Sequence, residues 1–188
     1  MRLFVALDLP DEVRGKLADA IDAWKNHAPE GIRWVRPEGI HVTLKFIGHI
    51  DDARLPEFRG ALAMVHSDSP IELDVRGTGF FPSAKRPRVM WCGAIASPNL
   101  RQLAGKVESA LEPLGVARES REFTPHLTLA RINATPRQMA PLLAAEGFAA
   151  RQFGTMRTTE FHLYESILQR GGAVYRKIET FMFVKGGR

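Results

Sequence analysis

The feature that most constrains the fold of this chain is a short string that occurs twice. His-x-Thr-Leu appears at residues 41–44 and again at 126–129, each time within an apolar, β-prone stretch, HVTLKFIGHI and HLTLARI. With 6 His, 9 Thr and 18 Leu in 188 residues, random order yields roughly 0.03 such strings per chain. The repeat therefore indicates two strands that share one task.

Side chains two residues apart on a strand point to the same face. His41 and Thr43 therefore share one face of the first strand, and His126 and Thr128 share one face of the second. The opposite faces are expected to hold Val42, Leu44, Phe46, Leu127 and Leu129. Each strand thus combines a polar working face with an apolar back.

The rest of the pattern predicts strands and helices of an α+β protein. Apolar periodicity predicts helices from residue 11, over about 52–66, after a Ser97 cap with Pro98 in the first helical position, and from about 135. Strands are predicted at 2–8, 32–35, 41–48, 71–81, 88–95, 124–132, 153–168 and 173–184. No Gly-, Ser- or Pro-rich linker separates independent domains, so residues 1–188 are expected to form one domain of two lobes, with one motif in each lobe.

The charge of the chain favours an anionic partner. Its 26 Lys and Arg outnumber 21 Asp and Glu, which gives a net charge of +5 and suits a ligand that carries phosphate.

Cys92 is the only cysteine, which excludes an intrachain disulfide and a multi-cysteine metal cage. The first residues, MRLFVALDLP, are too short and too soon interrupted for a signal peptide, so we expect a cytoplasmic protein with no membrane segment.

Two other classes of function are consistent with parts of this pattern. A metallohydrolase would need His-Glu-x-x-His or carboxylates and histidines at ligand spacing, and the sequence contains neither, so we expect no metal and no other cofactor. A non-catalytic RNA-binding module would suit the basic charge equally well. It does not explain the paired imidazoles.

The two motifs resemble those of the two-histidine (2H) phosphoesterases, and in particular those of the bacterial and archaeal RNA 2′,3′-cyclic phosphodiesterases, formerly called 2′-5′ RNA ligases. The resemblance covers nearly the whole chain in the right order. It is carried by RLFVALDLP, RWVRPEGIHVTLKFIG, GFFPSAKRPRVMWCG, FTPHLTLAR and LYESIL with AVYRKIETFMF.

The resemblance implies a fold and a reaction. The implied fold has two pseudo-symmetric lobes, with mostly antiparallel sheets flanked by helices around a central groove. The implied reaction hydrolyses an RNA 2′,3′-cyclic phosphate end, or a small cyclic-phosphate nucleotide, to a 2′-phosphomonoester, and its reversal leads toward 2′-5′ ligation. His41 is then the proton donor to the ribose 3′ oxygen, His126 the proton acceptor from water, and Thr43 and Thr128 bind the non-bridging oxygens.

The sequence alone does not choose which histidine is the acid, and relatives of this fold act on other cyclic nucleotides or on 2′-5′-linked oligonucleotides. A monomer is expected.

Basic residues near the motifs are further candidates for substrate binding. The family pattern implies that Arg131 contacts phosphate, yet strict alternation from His126 turns it to the other face, so this role requires a bulge or a strand end. Lys45 is in phase with His41 and is expected to line the groove. The candidates for a basic rim that holds RNA phosphates, with an aromatic ring to stack a base, are Arg33, Trp34, Arg36, Lys85, Arg86 and Arg88. The alternative, and the more common case for scattered basic residues, is an ordinary solvated surface.

Overall fold

The structure is a computed structural model that describes residues 1–145, 148–170 and 172–183. Within these residues it contains one sheet, four α-helices and three short 3-10 helices. The strands are β1 (Arg2–Leu7), β2 (Ile32–Trp34), β3 (Val42–His49), β4 (Ile71–Phe81), β5 (Val89–Ala96), β6 (His126–Ile132), β7 (Gln152–Thr158), β8 (Glu160–Gln169) and β9 (Gly172–Met182). The helices are α1 (Asp11–Lys25), α2 (Leu55–Ala63), α3 (Pro98–Leu111) and α4 (Ala140–Leu143).

The first and third helices follow from their apolar periodicity. In α1, Val13, Leu17, Ile21 and Trp24 are buried on one stripe, and the acidic Asp11 lies in the first turn, where it complements the helix dipole. Helix α3 begins at Pro98 as predicted. None of the described helices is both long enough and apolar enough to cross a membrane.

Four sequence predictions need correction. Ser97 does not cap α3, because its hydroxyl is bonded to the backbone of Glu72 instead. Helix α2 starts only at Leu55, since residues 52–54 form a 3-10 turn. The expected helix near residue 135 is the short α4, and the strand expected over 153–168 is two strands, β7 and β8. Residue 184, the expected end of the last strand, lies outside the described residues.

All strand pairings described in the sheet are antiparallel, and the order is β7-β4-β5-β6-β3-β1-β8-β9, with β2 also paired to β6. The sheet therefore divides into two four-stranded halves, β6-β5-β4-β7 and β3-β1-β8-β9. They meet where β3 pairs with β6 at Val42 and Leu127, both fully buried. The predicted class, α+β with a mostly antiparallel sheet flanked by helices, is confirmed.

A bulge follows the threonine of each motif and reverses the phase of the strand. In β3, Val5 and Ala6 of β1 pair with Lys45 and Thr43, so that Leu44 is an extra residue. In β6, the residue without a partner in β5 is Leu129. The residues directly after each bulge, Lys45 and Phe46 in β3 and Ala130 and Arg131 in β6, therefore face the side opposite to the one that strict alternation predicts.

The first bulge shows that two predictions were wrong. Lys45 does not line the groove, because it points to the helical side of the sheet, where its side chain is only 2% exposed. Its ammonium donates to Glu108 Oε1 at 2.6 Å and to the carbonyl of Ala117 at 2.7 Å. Phe46, expected on the apolar back, instead lies on the motif face and is 58% exposed.

Glu108 on α3 holds this buried ammonium in place. Burial by itself would raise the pKa of Glu108, but hydrogen bonds from Lys45 and from the amide of Glu119 outweigh it and keep the pKa below its usual value. The carboxylate therefore stays ionised beside the ammonium at neutral pH.

Removal of this carboxylate is expected to destabilise the fold. Glu108→Ala leaves a buried charge without its main partner, which lowers the free energy of unfolding by about 3 kcal/mol. Urea denaturation measures the change. Glu112→Ala is the matched control, because its ion pair with Arg118 is exposed. Lys45→Met in the Glu108→Ala background should recover most of the loss, and equal small effects of both glutamate substitutions would contradict the role of the pair.

Candidate active site

Both motifs reach a large cavity on the face of the sheet opposite to Lys45. The cavity has a volume of about 1020 Å³, and His41, Thr43 and Thr128 are among its lining residues. His126 is not among them and lies beside the cavity. On β6 it pairs with Gly93 of the neighbouring strand β5. The cavity continues over the half of the sheet formed by β3, β1, β8 and β9, toward the hairpin of β8 and β9.

The register between the two halves brings the motifs together. Because Val42 pairs with Leu127 in antiparallel fashion, the residues that flank this pair lie opposite each other. Thr43 therefore lies opposite His126, and His41 lies opposite Thr128. Each histidine thus has the threonine of the other motif as its cross-strand neighbour.

Both imidazoles are anchored in the same way. His41 Nδ1 donates to the carbonyl of Gly39 at 2.8 Å, and His126 Nδ1 donates to the carbonyl of Thr124 at 2.8 Å. Since a carbonyl only accepts, the proton of each neutral ring is on Nδ1, and the lone pair is on Nε2. Within the described residues neither Nε2 has a hydrogen-bond partner, so each can accept or donate one proton.

Aromatic rings enclose His41. Its ring stacks on Phe4 with centroids 4.7 Å apart, and Tyr175 meets it edge-on at 5.2 Å. Burial among these rings lowers the pKa of His41 to about 4, against weaker opposing effects from the Gly39 hydrogen bond and the charge of Asp8. His41 is therefore neutral at pH 7 in the unliganded protein.

A polar cluster borders this aromatic stack. Tyr164 stacks on Phe4 at 5.3 Å, with its ring centroid 6.4 Å from that of His41, and donates its hydroxyl to Asp8 Oδ1 at 2.5 Å. Burial would raise the pKa of Asp8, but hydrogen bonds from Lys177 and Tyr164 hold it below its usual value. Burial and the carboxylate raise the pKa of Tyr164, which keeps its proton. A fixed negative charge thus lies near His41.

His126 has different surroundings. The ring of Phe81 meets it edge-on at 4.9 Å, and its cross-strand neighbour Gly93 has no side chain.

Trp91, which pairs with Thr128, packs over Gly79, where an added Cβ would come within 2.3 Å of the indole. A glycine is therefore required at position 79 for the indole to take this position.

The second bulge brings Arg131 to the motif face. Because Leu129 is extra, Arg131 follows Thr128 on the same side of β6 and lines the cavity. Its role as a phosphate contact stays a prediction. Of the predicted basic rim, Arg33, Trp34 and Arg36 also line the cavity, whereas Lys85, Arg86 and Arg88 do not.

Sequence reasoning missed the aromatic residues of the site. Phe4, Phe46 and Tyr175 line the cavity and Tyr164 stacks on Phe4, yet the two phenylalanines, on β1 and β3, are distant in sequence from the two tyrosines, on the hairpin of β8 and β9. The blocks of the family resemblance that contain the two tyrosines were the only available signal. The described residues contain no group of three or more His, Cys, Asp or Glu placed to hold a metal ion.

The chain is similar to known proteins in both sequence and structure. A family model described as LigT like phosphoesterase matches residues 7–91 and 95–175. The chain is 32% identical over 181 residues to the RNA 2′,3′-cyclic phosphodiesterase of Archaeoglobus fulgidus. The aligned region covers 96% of this chain and 99% of that relative. The crystal structure of TT0787 of Thermus thermophilus matches with a TM-score of 0.80 and 30% identity, over 97% of this chain and 98% of that chain. E. coli LigT complexed with 3′-AMP matches with a TM-score of 0.78 and 28% identity, over 98% of each.

The titration of His41 tests the aromatic enclosure. NMR of the imidazole nitrogens should give a midpoint near pH 4 in the unliganded protein, since burial disfavours the charged ring. Tyr175→Ala, which opens one side, should move the midpoint up toward 6.5, and Tyr175→Phe, which keeps the ring, should not. Inorganic phosphate should raise the midpoint, because an anion stabilises imidazolium. A midpoint near 6.5 in the unmodified protein would contradict the enclosure.

Proposed function

The chain belongs to the LigT-like phosphoesterase family, and we propose that it hydrolyses the 2′,3′-cyclic phosphodiester at RNA ends to a 2′-phosphomonoester. The observation that carries the proposal is the meeting of two His-x-Thr strands beside one cavity, each imidazole with Nε2 unbonded among the described residues. The names of relatives at about 30% identity support the choice of substrate.

The reaction needs two proton transfers on opposite sides of phosphorus. One group takes a proton from the attacking water, and another gives a proton to the departing ribose oxygen. A single imidazole cannot reach both sides. Two imidazoles from different halves of the sheet can reach both sides of phosphorus, and they also remove the need for a metal ion to activate water.

In this proposal His41 protonates the 3′ oxygen and His126 activates water. The low pKa of unliganded His41 means that the acid form must arise on binding. The phosphodiester is an anion, and its arrival beside the buried ring favours imidazolium. His126, with its proton on Nδ1, presents the lone pair of Nε2 to water.

The two threonines act on the oxygens that do not react. Thr43 and Thr128 each lie opposite the histidine of the other motif in the antiparallel register, so their hydroxyls are on the same face of the sheet as both imidazoles. Hydroxyl donors there stabilise the charge on the non-bridging oxygens as the phosphoryl group is transferred. The same geometry serves other cyclic nucleotides and, in reverse, 2′-5′ ligation as a side reaction.

Substitution of either histidine tests the proposal. His41→Ala and His126→Ala should each lower kcat on a cyclic-phosphate-terminated oligonucleotide by at least about a hundredfold, because each removes one proton transfer. Circular dichroism and Tm should show that both variants fold. His49→Ala is the control, since His49 lies on β3 outside the cavity.

The result also separates the enzyme from its alternative. A non-catalytic RNA-binding module would bind the oligonucleotide without converting it, and both substitutions would leave its affinity unchanged. Turnover that survives both substitutions would contradict general acid–base catalysis by this pair.

A further inference from the structure

A carboxylate lies opposite one of the two motif histidines. Leu7 of β1 pairs with Val42 of β3. The next residues on these antiparallel chains are Asp8 and His41, which are therefore cross-strand neighbours. Because side chains alternate, Asp8 is on the same face as Ala6, which pairs with the threonine of the first motif. The first imidazole thus has a negative charge beside it.

The other half of the sheet has a glycine at the equivalent position. Cys92 of β5 pairs with Leu127 of β6, and the next pair along these strands is Gly93 with His126. A Cβ at Gly93 would come within 2.8 Å of the carbonyl oxygen of Arg76, so the backbone leaves no room for a side chain there. The sheet therefore places a carboxylate opposite the first imidazole and a glycine opposite the second.

The carboxylate of Asp8 is held in place and ionised. Its Oδ1 accepts the hydroxyl of Tyr164 at 2.5 Å, and its Oδ2 accepts the ammonium of Lys177 at 2.7 Å. The Nε2 atom of the buried His162 lies 3.5 Å from Oδ2 and 3.7 Å from Glu160 Oε1. Burial would raise the pKa of Asp8, but these bonds keep it below its usual value. Among the described residues Asp8 makes no hydrogen bond with the first imidazole, so it acts on that ring through its charge.

The groups around His41 differ in their effect on its proton. Burial, the largest influence, lowers the pKa of His41, and the positive charges of Arg14 and His126 lower it as well. The hydrogen bond to the carbonyl of Gly39 and the charge of Asp8 raise it. Asp8 is therefore the one side chain in this set that favours imidazolium.

We propose that Asp8 is a positioning residue that assigns the acid role to His41, because its charge stabilises the imidazolium that protonates the departing ribose oxygen. When the anionic phosphodiester is bound, the ring is beside two negative charges, that of the substrate and that of Asp8. The imidazolium then gives its Nε2 proton to the ribose oxygen and returns to the neutral ring. His126, opposite a glycine, takes the proton of water. The inference rests on the proposed function.

Two substitutions that change the charge near His41 in opposite directions test the inference. The measurement is the NMR titration midpoint of the His41 imidazole with inorganic phosphate present. Asp8→Asn removes the negative charge and should lower the midpoint by about one pH unit. Lys177→Gln leaves the carboxylate without its cationic partner and should raise the midpoint. Loss of packing would instead expose the ring and raise the midpoint in both variants.

The kinetic consequence is a slower reaction. A midpoint lower by about one pH unit reduces the protonated fraction of His41 at pH 7 about tenfold, so Asp8→Asn should lower kcat/KM on a cyclic-phosphate-terminated oligonucleotide by the same factor. Asn has the shape of Asp and still accepts the Tyr164 hydroxyl, so Tm should show a folded variant. Asp22→Asn is the matched control, because it removes the same charge from an exposed pair with Lys25 and should change neither the midpoint nor kcat/KM.

The outcomes separate this inference from the proposed function. A midpoint that does not move in Asp8→Asn, or that rises in both variants, overturns the role of Asp8 and leaves the proposed function standing. A lower midpoint with unchanged kcat/KM also overturns that role. No turnover of the oligonucleotide by the unmodified protein overturns both.

Discussion

The pairing of β3 with β6 is the constraint on which the whole site depends. It joins the two halves of the sheet through Val42 and Leu127, whose side chains are fully buried. Since successive side chains alternate, a slip of one residue in this register would turn the motif face of one strand into the core. Burial of the apolar back therefore fixes the position of the reactive face.

The two halves use the same local device and obtain different results from it. Each strand keeps its His and Thr on one face, and an extra leucine after the threonine then reverses the alternation of the side chains that follow. In one half the reversal exposes Phe46 and buries Lys45 against Glu108, and in the other it exposes Arg131. The first bulge therefore adds an aromatic side chain to the lining of the cavity, and the second adds a cationic one.

The sequence predicted what alternation controls and missed what the bulges and tertiary contacts control. His41, Thr43 and Thr128 line one cavity and His126 lies beside it, because no bulge interrupts either motif before its threonine. The placements of Lys45 and Phe46 were wrong, since nothing in HVTLKFIG marks Leu44 as an extra residue. The enclosure of His41 was also beyond prediction, because Phe4, Tyr164 and Tyr175 come from strands separated by most of the chain.

In the proposed reaction, water attacks phosphorus on the side opposite to the 3′ oxygen, with one imidazole on each side. The most direct measurement is hydrolysis of an oligonucleotide 2′,3′-cyclic phosphate in ¹⁸O-labelled water, with ³¹P NMR and mass spectrometry of the product. The expected product is a 2′-phosphomonoester that carries one ¹⁸O atom on phosphorus. A 3′-phosphomonoester, or unchanged substrate, would contradict the claim.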